Sequence, residues 1–105
     1  MKLREHVALL TNCGDALGRA IALALSGEGS HLSLCDLSYR YSALKDIVHE
    51  VEALGHQAVA KEVNITDNRH VQGVVDATLE RYGKIDILVN AVAVHINLPR
   101  FIEDL

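Results

Sequence analysis

The sequence predicts a single α/β domain over residues 1–105, built on a parallel sheet with helices packed against it. Two observations predict it. Four short apolar runs of strand length recur along the chain, and each of the first three is followed by a stretch whose apolar residues return at helical spacing and end at a glycine. The connections are short, so strand–helix–strand units with right-handed crossovers follow from topology.

The run HVALLT at residues 6–11 is almost continuously apolar, which suits a strand covered on both faces. Leu17, Ala20, Ile21, Ala24 and Leu25 then mark a first helix, stopped by Gly27 and Gly29. HLSLCD at 31–36 reads as the second strand, and Leu44, Ile47, Val48 and Val51 as the core face of a second helix ended by Gly55. AVAKEV at 58–63 is the third strand. Thr66 or Asp67 is a natural N-cap for a third helix with Val71, Val74, Val75, Leu79 and Tyr82 on one stripe and Gly83 as its stop. IDILVN at 85–90 is the fourth strand, and 91–105 is a weakly defined tail in which a helix is expected to begin after Pro99.

Half of the residues are apolar and 23% are charged, the profile of a soluble globular protein. With one phenylalanine, three tyrosines and no tryptophan, the core must be built from Ala, Val, Leu and Ile, and no stacking platform for single-stranded nucleic acid is present. Ten Lys and Arg against fourteen Asp and Glu leave a formal charge of −4, so nucleic acid is not an expected partner. The longest apolar stretches fall far short of the roughly 20 residues of a membrane span, and a cytoplasmic location is expected. Cys13 and Cys35 lie near the ends of strands that should be adjacent, which leaves the thiols room to be neighbours, and they are read as small buried groups. The six histidines are scattered without a metal-type spacing, and no metal ligand is assigned.

Four marks then agree in order. Thr11-Asn12-Cys13-Gly14-Asp15-Ala16-Leu17-Gly18 follows the first strand in the place of a T-G-x-x-x-G-x-G phosphate loop, and Asp36 ends the second strand. NITD stands after the third strand for D-V-T-D, and IDILVNAVA for IDILVNNAG. On these residues the chain resembles the amino-terminal part of the short-chain dehydrogenase/reductase family, over nearly all of its length. The resemblance implies a three-layer, Rossmann-like, doubly wound sheet with strands in the order 3-2-1-4, and the cofactor-binding half of a NAD(P)-dependent oxidoreductase.

The resemblance also implies cofactor contacts from Thr11, Asn12, Asp15, Ala16, Leu17 and Gly18 in the loop, Asp36 and Leu37 after the second strand, Asn64 and Ile65 after the third, and Asn90 at the end of the fourth. Asn12 replaces a glycine, but Asn tolerates the left-handed conformation well, so the turn is expected to survive. Ala16 replaces a second glycine and places a methyl group where backbone should approach phosphate, which weakens the grip. Gly18 is kept and lets the helix pack closely on the strand. Gly14 lies off the family's register and is assigned no role. The loop is therefore either a weakened pyrophosphate cradle or simply a joint between strand and helix.

Asp36 would accept both adenosine ribose hydroxyls and repel a 2′-phosphate, so NAD is expected over NADP. Asp15, where NADP-preferring relatives often carry a basic residue, points the same way, while Arg19 or Arg40 would favour phosphate. Asn64 would accept from the adenine amino group and Ile65 would pack on its face; Asn64 and Asn90 suit capping and strand-end hydrogen bonds equally well. The family's catalytic Ser, Tyr and Lys lie beyond the fourth strand. Tyr41 and Lys45 have the Y-x-x-x-K spacing but fall in the second helix, so no catalytic residue is assigned. The expectation is an adenosine site without hydride-transfer machinery, in a chain that self-associates through an apolar fourth-strand edge. The competing reading is a non-catalytic interaction or regulatory module with a degenerate dinucleotide loop; a third is a site for an adenosine phosphate other than NAD.

Overall fold

A computed structural model of the chain describes residues 3–64 and 66–90; Ile65 and the tail at 91–105 lie outside the described residues. The elements are β1 (Val7–Thr11), α1 (Ala16–Gly27), β2 (His31–Asp36), a 3-10 turn (Ser38–Arg40), α2 (Tyr41–Ala53), β3 (Ala58–Glu62), α3 (Asn68–Tyr82) and β4 (Ile87–Asn90). The four strands are parallel in the order β3-β2-β1-β4, the doubly wound order that the family resemblance implies.

Strand alternation sorts the core into two layers. Ala8, Leu10, Leu32, Leu34 and Ala58 face α1 and α2, where Ala22, Leu44, Ile47, Val48 and Val51 meet them. Leu9, Cys35 and Val63 belong to the opposite layer with Val74 of α3, flanked by Val75 and Ile85. That thinner layer carries a polar seam. The Ser33 and Thr78 hydroxyls are hydrogen-bonded at 2.8 Å, the Tyr82 hydroxyl donates to the Leu32 carbonyl at 3.0 Å, and the Tyr82 ring stacks on His31.

Two predicted helix faces are rotated in the structure. The buried line of α1 is Gly18, Ala22 and Ser26, while Leu17 is 51% exposed. Small residues at i, i+4 and i+8 bring this helix close to the sheet, which turns its larger side chains to the flanks. In α3 the buried line is Val74 and Thr78, and Leu79 faces outward. Asp67, not Thr66, caps α3, its carboxylate accepting from the Arg69 amide at 2.9 Å, and Gly83 ends the helix in the left-handed conformation. No helix of the described residues is long and apolar enough to cross a membrane.

β4 begins at Ile87, two residues later than its apolar run suggests. Asp86 explains the delay: its amide donates to the Val7 carbonyl at 2.8 Å and its carboxylate accepts from the Val7 amide at 2.8 Å. That amide bond, with Lys84 beside it, holds the Asp86 carboxyl below its usual range. A depressed carboxyl stabilises the fold above its unfolded-state value and loses that contribution as pH falls through the folded one. Asp86→Asn is therefore expected to lower the Tm at neutral pH and to have little effect at about pH 2. Thermal unfolding across pH checks this; a Tm difference that persists undiminished into acid would assign the effect to something other than the charge.

Candidate functional site

The carboxyl ends of the strands converge on the loop between β1 and α1. Asn12 adopts φ 55, the left-handed turn that its residue type permits. Asp15 is the N-cap of α1, its Oδ1 accepting from the Gly18 amide at 2.8 Å. Gly18 lies against the loop itself: a Cβ there would stand 2.1 Å from the Cys13 carbonyl oxygen. Asn90, opposite Thr11 in register, ties the loop to β4. Its Oδ1 accepts from the Thr11 hydroxyl at 2.9 Å and from Asn12 Nδ2 at 3.1 Å.

Asp36 is only 3% exposed and points into this loop. Its Oδ2 accepts from the Gly14 amide at 2.8 Å and its Oδ1 from the Leu37 amide at 2.7 Å. The Gly14 contact was missed by the family register, and its one sequence signal was a glycine beside the loop's turn. A Cβ on Gly14 would stand 2.8 Å from Arg40 Cβ and 3.0 Å from Asp36 Oδ2. Arg40 places Nη1 3.6 Å from Asp15 Oδ2 and 3.9 Å from Asp36 Oδ2, with its guanidinium over the Tyr39 ring. Arg19 pairs instead with Glu50, Nε to Oε2 at 2.8 Å. Of the two arginines singled out in the sequence, Arg40 is the one paired with Asp36.

At the end of β3, the Asn64 carboxamide oxygen accepts from the Thr66 amide at 3.0 Å and from its hydroxyl at 2.6 Å, the strand-end turn that was one of its two expected roles. A cavity of about 310 Å³ opens there, lined by Leu37, Ser38, Glu62, Val63, Asn64 and His70. Ile65, expected on the adenine face, lies outside the described residues. Ala16 and Leu17 form the exposed first turn of α1, beside a groove of about 680 Å³ running between α1 and α2.

The cysteine side chains join different core layers, Cys13 with α1 and α2 and Cys35 with α3, and the Cys13 thiol donates to the Cys35 carbonyl at 3.7 Å. Both are buried, and burial pushes each thiol up to about 12, which leaves them unreactive near neutrality. No group of three His, Cys, Asp or Glu among the described residues could hold a metal ion. Tyr41 packs partly buried against the core beneath α2, as its placement in that helix requires.

Residues 6–104 match the family described as short chain dehydrogenase. The chain is 33% identical over 100 residues to 1,6-dihydroxycyclohexa-2,4-diene-1-carboxylate dehydrogenase of Acinetobacter baylyi, covering 94% of this chain and 37% of that enzyme. The crystal structure of NAD+-bound xylitol dehydrogenase superposes with a TM-score of 0.78 at 33% identity, covering 84% of this chain and 33% of that one. A short chain dehydrogenase/reductase from Burkholderia phymatum in complex with NAD superposes with a TM-score of 0.76 at 30% identity, covering 84% and 31%. The chain thus spans about a third of the length of these three proteins.

Proposed function

Because the chain belongs to the short-chain dehydrogenase family, we propose that it is the nucleotide-binding part of an oxidoreductase of that family, that it takes NAD in preference to NADP, and that its own residues hold no complete catalytic site. The observation that carries this reading is the Asp36 carboxylate, buried at the end of an interior strand and held toward the loop by two backbone amides. A carboxylate fixed there has lone pairs left for ribose hydroxyls and repels a 2′-phosphate. The cavity beside Leu37 and Asn64 is the berth for adenine, and the first turn of α1 faces the diphosphate. Bound NAD would supply the hydride acceptor; the part of this chain is to hold and orient its adenosine end. The similar structures with NAD bound support the cofactor class.

Calorimetric titration with AMP, NAD and NADP tests the reading. AMP and NAD are expected to bind with similar affinity and NADP at least about tenfold more weakly. Silence toward all three would replace it with the interaction module.

Self-association along β4 belongs to the same proposal. Leu88 on this edge is 68% exposed, and it borders an apolar groove of about 290 Å³ against α3, lined by Leu9, Val63, Val71, Val74 and Ile85 among others. Sedimentation is expected to show a mass that rises with concentration, and Leu88→Lys to return it to the monomer. A monomer mass at every concentration would remove the proposal.

A further inference from the structure

His70 belongs to none of the four sequence marks, yet it stands in the wall of the proposed adenosine site. It lies in the first turn of α3 and lines the cavity beside Leu37, Glu62 and Asn64. Its Nδ1 accepts from the Asn64 amide at 3.1 Å, so the neutral ring carries its proton on Nε2, which stands 3.8 Å from Asp67 Oδ2. Asn64 is tied at two other points: its carbonyl accepts from the Asp67 amide at 3.0 Å, and its side-chain oxygen accepts from Thr66. Of these three ties, only the imidazole changes its charge between pH 5 and 8. The ring is half-exposed, so solvent protons reach it.

Building on the adenosine reading, we propose that His70 is a positioning residue that makes the site's hold on NAD depend on pH: the neutral ring keeps Asn64 in place, and protonation releases it. A proton on Nδ1 would set one N–H against the N–H of Asn64, so the bond is lost and the ring turns away. The surrounding charges give a charged ring somewhere to go. The Asp67 carboxyl is held below its usual range, first by its bonds to the Arg69 side chain and amide, and Glu62 stands in the same cavity wall. The cations nearby are Arg69, engaged with Asp67, and Lys61, whose Nζ lies 4.0 Å from where a Cβ on Gly73 would stand, one turn further along α3. Leu37 and Ser38, on the far side of the cavity, bring no charge. A ligand that needs Asn64 in place binds the neutral form, so by linkage its binding expels the proton and its affinity falls as pH drops.

The test is calorimetric titration of the full chain with NAD, whose own charge is constant between pH 5 and 8. The unaltered chain is expected to bind at least about fivefold more weakly at pH 5 than at pH 8, and to release a proton on binding at the lower pH, read from buffers of different ionisation enthalpy. His70→Asn offers a carboxamide oxygen that does not titrate as the acceptor for the Asn64 amide. It is expected to bind at pH 8 as the unaltered chain does and to keep that affinity at pH 5. His70→Leu has no acceptor and is expected to bind at both pH values as weakly as the unaltered chain at pH 5. His49→Asn, which alters a histidine of the groove between α1 and α2, is expected to leave the pH profile unchanged. Circular dichroism at both pH values confirms that each protein is folded. A flat profile in the unaltered chain, a pH dependence that persists in His70→Asn, or full affinity in His70→Leu overturns the proposal and leaves the adenosine reading standing. Failure of NAD to bind the unaltered chain at pH 8 overturns both.

Discussion

Gly18→Ala is expected to destabilise the chain by about 3 kcal/mol, lowering the Tm by more than about 12 °C. Helix propensity alone argues the opposite, since alanine is better than glycine in a helix by about 1 kcal/mol. The geometry decides the sign. A Cβ at this position would stand 2.1 Å from the Cys13 carbonyl oxygen and 2.4 Å from its carbonyl carbon and Cα, all backbone, so no side chain can rotate away. The contact also lies under the amide that Asp15 caps, so the loop and the first turn of α1 would shift together. Gly27, at the other end of the same helix, has nothing within 4 Å of an added Cβ and serves as the control. Gly27→Ala is expected to be neutral or slightly stabilising. Thermal and denaturant unfolding of the pair would expose an error: equal effects at both positions would mean that the helix does not approach the loop as described.

Asp36→Ala is expected to lower stability by about 2–4 kcal/mol and to abolish adenosine nucleotide binding, because each buried amide left without an acceptor costs about 1–3 kcal/mol. The Gly14 and Leu37 amides both lose their acceptor, and Arg40 loses one of its two carboxylate partners. A weaker fold would by itself weaken binding, so Asp36→Asn is the sharper variant. It keeps one acceptor oxygen and removes the charge that repels a 2′-phosphate, and it is expected to narrow the gap between NAD and NADP at least about tenfold. An unchanged ratio of the two affinities, in a variant that folds, would show that Asp36 does not face the adenosine ribose.

The parallel sheet and most elements were legible in the sequence because an alternating α/β chain leaves few topologies open, and the strand order came with the family resemblance. Residues 31–36 match β2 at both ends, and Asn12 adopts the conformation its type allows. The phase of α1 was less legible. Its apolar residues suggested a stripe through Leu17 and Ala24, whereas close approach to the sheet selects the smallest residues for burial. Leu79 was misplaced for a related reason: Thr78, polar by composition, is buried because Ser33 and the Val74 carbonyl satisfy its hydroxyl. In the site, Asp36 was legible from its place at a strand end. Gly14 and Arg40 were not, because their roles come from contacts between separate segments, the loop meeting β2 and the 3-10 turn reaching back over it. A motif read along the chain carries no sign of either.

The clamp from Asn90 to Thr11 and Asn12 joins residues 79 and 78 positions apart, and the Asp86–Val7 bonds close the same span. Such a contact must overcome the entropy of closing nearly the whole described chain before it contributes anything. The β1–α1 turn is therefore expected to reach its final shape only once β4 has docked. A nascent chain that had not yet released β4 would carry the β1–α1 loop without the Asn90 clamp that holds it.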